Sequence, residues 1–263
     1  MFFYLLIILI IIVLIFIPYR QKEDYDSIKT FVSMTTIPER IEHPWFYENL
    51  KQTLHILPTN STLILNVPFY TMDNVPYKIP ENIQQLQGSL FTIHSCEKDE
   101  GPITKLNPTL RNSTIPDNSI IIIIDDDIVY NHNVFYLLQK SVLTHPTKIS
   151  SMCNKNIEGF AGYAFLKKTL KGLQDVLIPK TCVRIDDFIV SSYIDHFNIR
   201  KVSVPYKNMM KHNYCSMNIQ KTIKHPPWRE LCKGEEEKKE KRKNMKKKCL
   251  LDLKNSFLEY KQL

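Results

Sequence analysis

Residues 119–130 read SIIIIIDDDIVY. Five consecutive isoleucines run into three consecutive aspartates, and then apolar residues resume. β-branched side chains are stiff and pack well on a pleated surface, so an unbroken run of five reads as a strand buried on both faces. Such a strand belongs in the centre of a mainly parallel sheet. The three carboxylates at its end repel one another, and burying a lone carboxylate is costly. The stretch therefore calls for a two-sided core around the isoleucines and for something positive beside the aspartates.

The surrounding sequence supplies the elements of such a core. IKTFVSMTTIP (28–38) reads as a first strand ending at Thr35-Thr36, stopped by Pro38. ENLKQTLHIL (48–57) has the 3.6-residue spacing of a helix. STLILNVP (61–68) and GSLFTIHSC (88–96) read as second and third strands, and KLNPTLRN (105–112) as a short helix. SIIIIIDDDIVY is the fourth strand, followed by a helix over NVFYLLQKSVLTH (133–145). GFAGYAFLKK (159–168) reads as a glycine-kinked segment lining a pocket, RIDDFIVSSYIDHF (184–197) as a helix, and IRKVSVPY (199–206) as a closing strand. Strands alternating with helices indicate an α/β domain. In such sheets ligands bind beyond the carboxyl ends of the strands, which is where Thr35, Thr36 and Asp125–Asp127 fall.

Bulk properties narrow the function classes. The chain has 263 residues, enough for one sizeable core, and 43% apolar residues exclude a disordered protein. The net charge of +8 is concentrated: residues 233–248 hold nine Lys/Arg and four Glu, so the other 247 residues carry +3. A basic isoelectric point of this origin is no argument for nucleic-acid binding. Residues 2–18 carry no charge, which is long enough at about 1.5 Å per residue to cross a bilayer core of roughly 30 Å, with Tyr19 as an interfacial anchor. The organisation expected is a single-pass signal anchor at 1–19, a stem at 20–27, a catalytic domain at 28–206 and a C-terminal extension at 207–263 with a charged helical tail. Arg20 and Lys22 favour a cytosolic body, whereas Asn-Ser-Thr sequons at Asn60 and Asn112 suit a lumenal one. The six cysteines lack CxxC spacing, which argues against a zinc site and leaves ordinary buried thiols as the default.

The aspartates carry the chemistry. Two carboxylates one residue apart at a strand end hold a hard divalent cation, Mn²⁺ or Mg²⁺, whose other ligands are waters and a substrate's phosphates. Asp125 and Asp127 are the metal candidates; the bland alternative is an exposed acidic turn. Asp186-Asp187, in the first turn of a helix, either cap the helix dipole or supply a general base. In DEGPITKL (99–106), Thr104 and Lys105 fall near a helix start that suits phosphate, or form an ordinary turn with a solvated lysine. Arg40 contacts a phosphate or base, or is a surface residue.

Taken in order, VSMTTIPER, LILNVP, EKDEGPITKLNPTL, IIIIIDDDIVY and IDDFIVSSYI resemble GT-A-type glycosyltransferases of a group found in giant viruses, algae and bacteria. The resemblance spans roughly residues 28–206. It implies a GT-A, Rossmann-like α/β domain and a nucleotide-diphospho-sugar donor held through Mn²⁺ or Mg²⁺. On that pattern Asp125 reaches the ribose or a metal-bound water, Asp127 binds the metal, and Asp126 sits between them. Thr35, Thr36 and Arg40 line the nucleotide, and Lys105 lies near the donor phosphates. Asp186 or Asp187 is the acceptor-side base in inverting members. His212, in MMKHNYC, is the candidate for a third metal ligand. The acceptor would be a glycan, protein or lipid. The rival readings are a metal-dependent phosphodiesterase or nucleotidyltransferase, and a non-catalytic membrane-anchored protein that binds through its basic C-terminal tail.

Overall fold

The computed structural model describes residues 28–153, 157–204, 210–213 and 236–260, with the backbone alone for 210–213 and 236–243. The apolar run 2–18, the stem and most of 207–235 lie outside the described residues. Among the described residues no helix is long and apolar enough to cross a membrane.

Strand β1 (Thr30–Thr35) leads through helices α1 (Pro38–Ile41) and α2 (Pro44–His55) to β2 (Ser61–Pro68). A one-turn helix, α3 (Glu81–Gln84), precedes β3 (Phe91–Cys96). A 3₁₀ helix (Gly101–Lys105) and α4 (Asn107–Arg111) then precede β4 (Ile120–Ile123). After β5 (Ile128–Tyr130) come α5 (Asn133–Thr144), β6 (Ile149–Ser151) and β7 (Tyr163–Leu166). The described part ends with α6 (Asp186–His196), β8 (Lys201–Ser203), β9 (Met210–Asn213) and α7 (Glu236–Tyr260).

Seven of these strands form one sheet in the order β3-β2-β1-β4-β7-β6-β8. β3, β2, β1 and β4 are mutually parallel; β7 runs against β4 and β6, and β6 pairs parallel with β8. The sheet is thus mainly parallel, as the alternation predicts. The connection reverses direction across the sheet between β1 and β4, so their carboxyl ends flank a switch point, the crevice where open α/β sheets bind ligands.

The five isoleucines explain why β4 is central. Ile120 to Ile124 are all fully buried. Alternation sends Ile120, Ile122 and Ile124 into a core with Met34, Phe46, Leu50, Phe135 and Leu138, and Ile121 and Ile123 into a second core with Leu106, Phe165, Ile189 and Phe257. Each such side chain contributes about 1.5–3 kcal/mol of burial. No strand with a solvated face accommodates this pattern.

Several expectations need correction. SIIIIIDDDIVY is not one strand: β4 ends at Ile123, Asp126-Asp127 form a turn, and β5 pairs with β9 outside the main sheet. Three like charges have no place in a buried ladder, so the chain turns out of it. Within 159–168, residues Tyr163–Leu166 are a fully internal strand opposite Ile120–Ile123, because Tyr163, Ala164, Phe165 and Leu166 are apolar enough to be buried on both faces. The helix expected at 48–57 starts at Pro44, where proline suits the first turn. The closing strand is shorter than 199–206, at Lys201–Ser203. Cys182 and Cys249 are joined by a disulfide, whereas Cys96 and Cys153 are free; Cys215 and Cys232 lie outside the described residues. The charged tail is a helix, but Cys249, Leu253 and Phe257, spaced by four, are buried against the second core.

Candidate active site

The carboxyl ends of β1 and β4 bring together residues from five segments. Asp126 is 4% exposed and fully engaged. Its Oδ2 accepts from the Thr36 hydroxyl at 2.7 Å, its Oδ1 accepts from Arg40, and its carbonyl accepts from Asn49 Nδ2 at 2.7 Å. Arg40 also reaches Asp127 Oδ2, at 3.6 Å. Burial works against the Arg40 charge, but Asp126 and Asp127 outweigh it and raise its pKa. Arg40 is therefore a structural partner of the acidic turn and not a solvated surface residue.

Lys105 is the second positive group. Its Nζ lies 2.6 Å from Asp125 Oδ1 and 2.6 Å from Asp186 Oδ2. The side chain is almost completely buried, because the 3₁₀ helix that carries it is pinned beneath β1: the Ser33 hydroxyl donates to the Lys105 carbonyl at 2.5 Å. Burial alone would lower its pKa, yet Asp125 and Asp186 hold it well above the usual value. This lysine is a bridge between the two acidic motifs and not a solvated side chain after a turn.

Two carboxylates are left under-compensated. Burial pushes Asp127 up; Arg40 opposes this, Asp126 and Asp125 add to it, and its pKa stands at about 7. Burial, reinforced by Asp186 and opposed by Lys105, likewise raises Asp187 to about 7. The Gly159 N–H donates to Asp187 Oδ1 at 2.8 Å. Burial also raises Asp125, against the pull of Lys105.

Thr35 and Thr36 both lie at the site, but the Thr35 hydroxyl donates to the Asn66 carbonyl at 2.8 Å. His212 sits in β9, whose backbone pairs it with Val129, two residues past Asp127. Its side chain lies outside the described residues.

Four further residues complete the site. Gly159 approaches so closely that a methyl group there would overlap Lys105 Nζ and sit 2.6 Å from Asp125 Oδ1. The Tyr130 hydroxyl accepts from the Asp125 N–H at 3.0 Å and donates to the Gly159 carbonyl at 3.2 Å. Asn49 was readable as a polar residue on the buried stripe of Trp45, Phe46, Leu50 and Thr53. Tyr77 reaches the Thr36 carbonyl from a loop that nothing in its own sequence marks.

A hard divalent cation fits this donor set in a limited way. Among the described residues no three His, Cys, Asp or Glu side chains are grouped to enclose one. Asp127 nevertheless carries buried negative charge that Arg40 does not neutralise, and Asp125 lies beside it. An oxygen-ligated cation that keeps waters and takes substrate phosphates suits such a partial set.

A cleft of about 1020 Å³ opens on the Asp186–Asp187 side. Glu158, Phe160 and Phe188 line it together with residues of α6 and α7.

Comparison with known proteins bears on the fold. No family model matches the chain, and no curated protein matches it. Among solved structures, a cytidylyltransferase from Leptospira borgpetersenii matches with a TM-score of 0.50 at 11% identity, over 69% of this chain and 77% of that one. Glucosyl-3-phosphoglycerate synthase of M. tuberculosis matches with a TM-score of 0.49 at 12% identity, over 76% and 77%. A 4-diphosphocytidyl-2C-methyl-D-erythritol synthase matches with a TM-score of 0.47 at 8% identity, over 71% and 94%. The likeness to the cytidylyltransferase shows that this chain shares its fold, and the strand order above is consistent with a GT-A type.

Proposed function

We propose that this protein is a metal-dependent glycosyltransferase that moves a sugar from a nucleotide-diphosphate donor to an acceptor glycan, protein or lipid. One observation carries the reading. Two under-compensated carboxylates, Asp127 and Asp187, stand at the carboxyl edge of the sheet, and their neighbours Asp125 and Asp186 share Lys105.

Asp127 and the second oxygen of Asp125 are the groups to hold Mn²⁺ or Mg²⁺, with His212 as a further candidate. The cation would offset charge developing on the nucleoside diphosphate as it leaves. Thr35, Thr36 and the Arg40–Asp126 pair shape the nucleotide side, and Asp125 faces the donor with Lys105 behind it. In the transfer, an acceptor oxygen bonds to the anomeric carbon and the bond from that carbon to the phosphate oxygen breaks, its electrons passing to the diphosphate. For an inverting reaction Asp187 takes the acceptor proton; its elevated pKa suits a base working near neutral pH.

The test is donor binding and hydrolysis across UDP- and GDP-sugars, with Mn²⁺ and with EDTA. Metal-dependent binding of one donor, lost in Asp127→Ala, is the expected result. No binding to any donor by a folded protein would sink the reading.

The likeness to a cytidylyltransferase supports nucleotidyl transfer as a second reading. Against it, the turn after β1, Thr36-Ile37-Pro38, has no glycine to bring backbone N–H groups close to a triphosphate. Pyrophosphate release from a nucleoside triphosphate would favour it. We further propose that residues 2–18 anchor the protein in a membrane. The Cys182–Cys249 disulfide and the two sequons support a body on the lumenal, oxidising side, and a glycosidase-sensitive mass shift on expression would test this.

A further inference from the structure

The C-terminal helix lies beyond the stretch that resembles glycosyltransferases, yet it forms a wall of the cleft beside Asp187. Two stripes of α7 explain how. Cys249, Leu253 and Phe257 recur every four residues and are buried, with Cys249 bonded to Cys182 four residues before Asp186. Lys246, Leu250 and Lys254 form the adjacent stripe at the same spacing and line the cleft. Docking the first stripe therefore presents the second to the space in front of α6.

The less exposed charges of the cleft are acidic, and three of its four exposed ones are basic. At its inner end Asp186 is paired with Lys105, Asp187 accepts the Gly159 N–H, and Glu158 lies 3.7 Å from the Cys153 thiol. Its outer wall carries Arg184, Lys246 and Lys254, all exposed. Among the described residues none of these three forms an ion pair, although Asp195 also lines the cleft. The Lys246 ammonium lies 5.8 Å from the centre of the Phe188 ring, so the aromatic face helps hold it over the cleft.

We propose that this cleft is the acceptor subsite and that it selects an acceptor bearing an anionic group, phosphate or carboxylate, held by Arg184, Lys246 and Lys254. The acceptor's reacting hydroxyl then lies toward Asp187. The inference rests on the glycosyltransferase reading for the word acceptor, but the anion site itself does not depend on it. Long cations free of carboxylate partners at the mouth of a pocket bind an anion by charge-assisted hydrogen bonds.

The test uses the full chain with UDP and Mn²⁺ present, and calorimetry with paired probes: glucose 6-phosphate against glucose, and glucuronic acid against glucose. The anionic member of each pair should bind at least ten-fold more tightly, with affinity falling as salt rises. Lys246→Glu/Lys254→Glu should remove that preference. Lys247→Glu/Lys248→Glu carries the same charge change on the same helix outside the cleft lining and should keep it, with unfolding midpoints recorded for both. Equal binding of charged and neutral probes would overturn the proposal. So would equal losses in the two double variants, which would show a diffuse attraction to a basic helix. Metal-dependent donor turnover with no preference for an anion sinks this inference alone. An anion preference lost only in the Lys246/Lys254 variant, with no donor binding, sinks the glycosyltransferase reading alone.

Discussion

The acidic turn after β4 and the acidic start of α6 repeat one arrangement. Each holds two adjacent aspartates of which one is clamped and one is not. Asp126 is closed in by Arg40, Thr36 and Asn49, and Asp186 is paired with Lys105. Their neighbours Asp127 and Asp187 both stand at about 7. The difference separates two jobs. A saturated carboxylate fixes the turn or helix start, and an under-compensated one has charge left for a cation or a proton. Identical residue types one position apart thus diverge through their burial and their partners.

The largest effect expected is on the turn. Asp127→Asn should reduce metal-dependent transfer by at least about 10³-fold while leaving the unfolding midpoint unchanged or raised, since it removes a poorly compensated buried charge. Asp126→Asn should do the reverse in kind, costing about 2–4 kcal/mol in urea unfolding because Arg40 loses its main partner. If both variants lost activity with no change in stability, the distinction between clamped and unclamped residues would fail.

Next, Asp187→Asn should lower turnover by about 10²–10⁴-fold and flatten the acid limb of the pH profile. In the native protein that limb should lie near pH 7, activity rising as the carboxyl deprotonates. A limb near pH 4 would remove Asp187 as the base.

Lys105→Met leaves Asp125 and Asp186 without their shared cation and should cost about 3–5 kcal/mol, read by urea unfolding. Gly159→Ala should weaken the same bridge by crowding Lys105 and Asp125, lowering both the midpoint and donor affinity. The smallest effect is on pH. Because the folded pKa of Asp127 and Asp187 lies above the unfolded value, their protonated forms stabilise the fold. That contribution is complete below about pH 4 and is lost as pH rises through about 7. The midpoint of the cation-free protein should therefore drop steadily from pH 5 to about 7 and level off by pH 8. A midpoint that climbs over that range would contradict the raised values.

Much of this was legible in the residues. Five isoleucines required a central strand, and the position of the aspartates at its end pointed to a candidate site there. A mainly parallel sheet followed from strand–helix alternation, whereas its strand order did not. What stayed hidden depended on distant partners. Lys105 reads locally as a lysine after a turn; only the fold brings Asp125 and Asp186, 20 and 81 residues away, to its ammonium. β7 was obscured because Gly159 and Gly162 bracket its approach and suggest a kink, although its own residues are apolar and fully buried. The disulfide joins cysteines 67 residues apart that no local spacing pairs.

The central strand also has a bearing on biosynthesis. β4 sits between β1, 90 residues earlier, and β7, whose last residue is Leu166. A growing chain therefore exposes Ile120–Ile124 with one edge uncovered until residue 166 has emerged. An apolar, β-branched run without charge is the kind of segment that pairs with other copies of itself. Asp125, Asp126 and Asp127 stand immediately behind it and would stack like charges in any in-register pairing of that kind. The triplet that shapes the site thus also acts as a gatekeeper, protecting the most dangerous strand during the interval before its partner arrives.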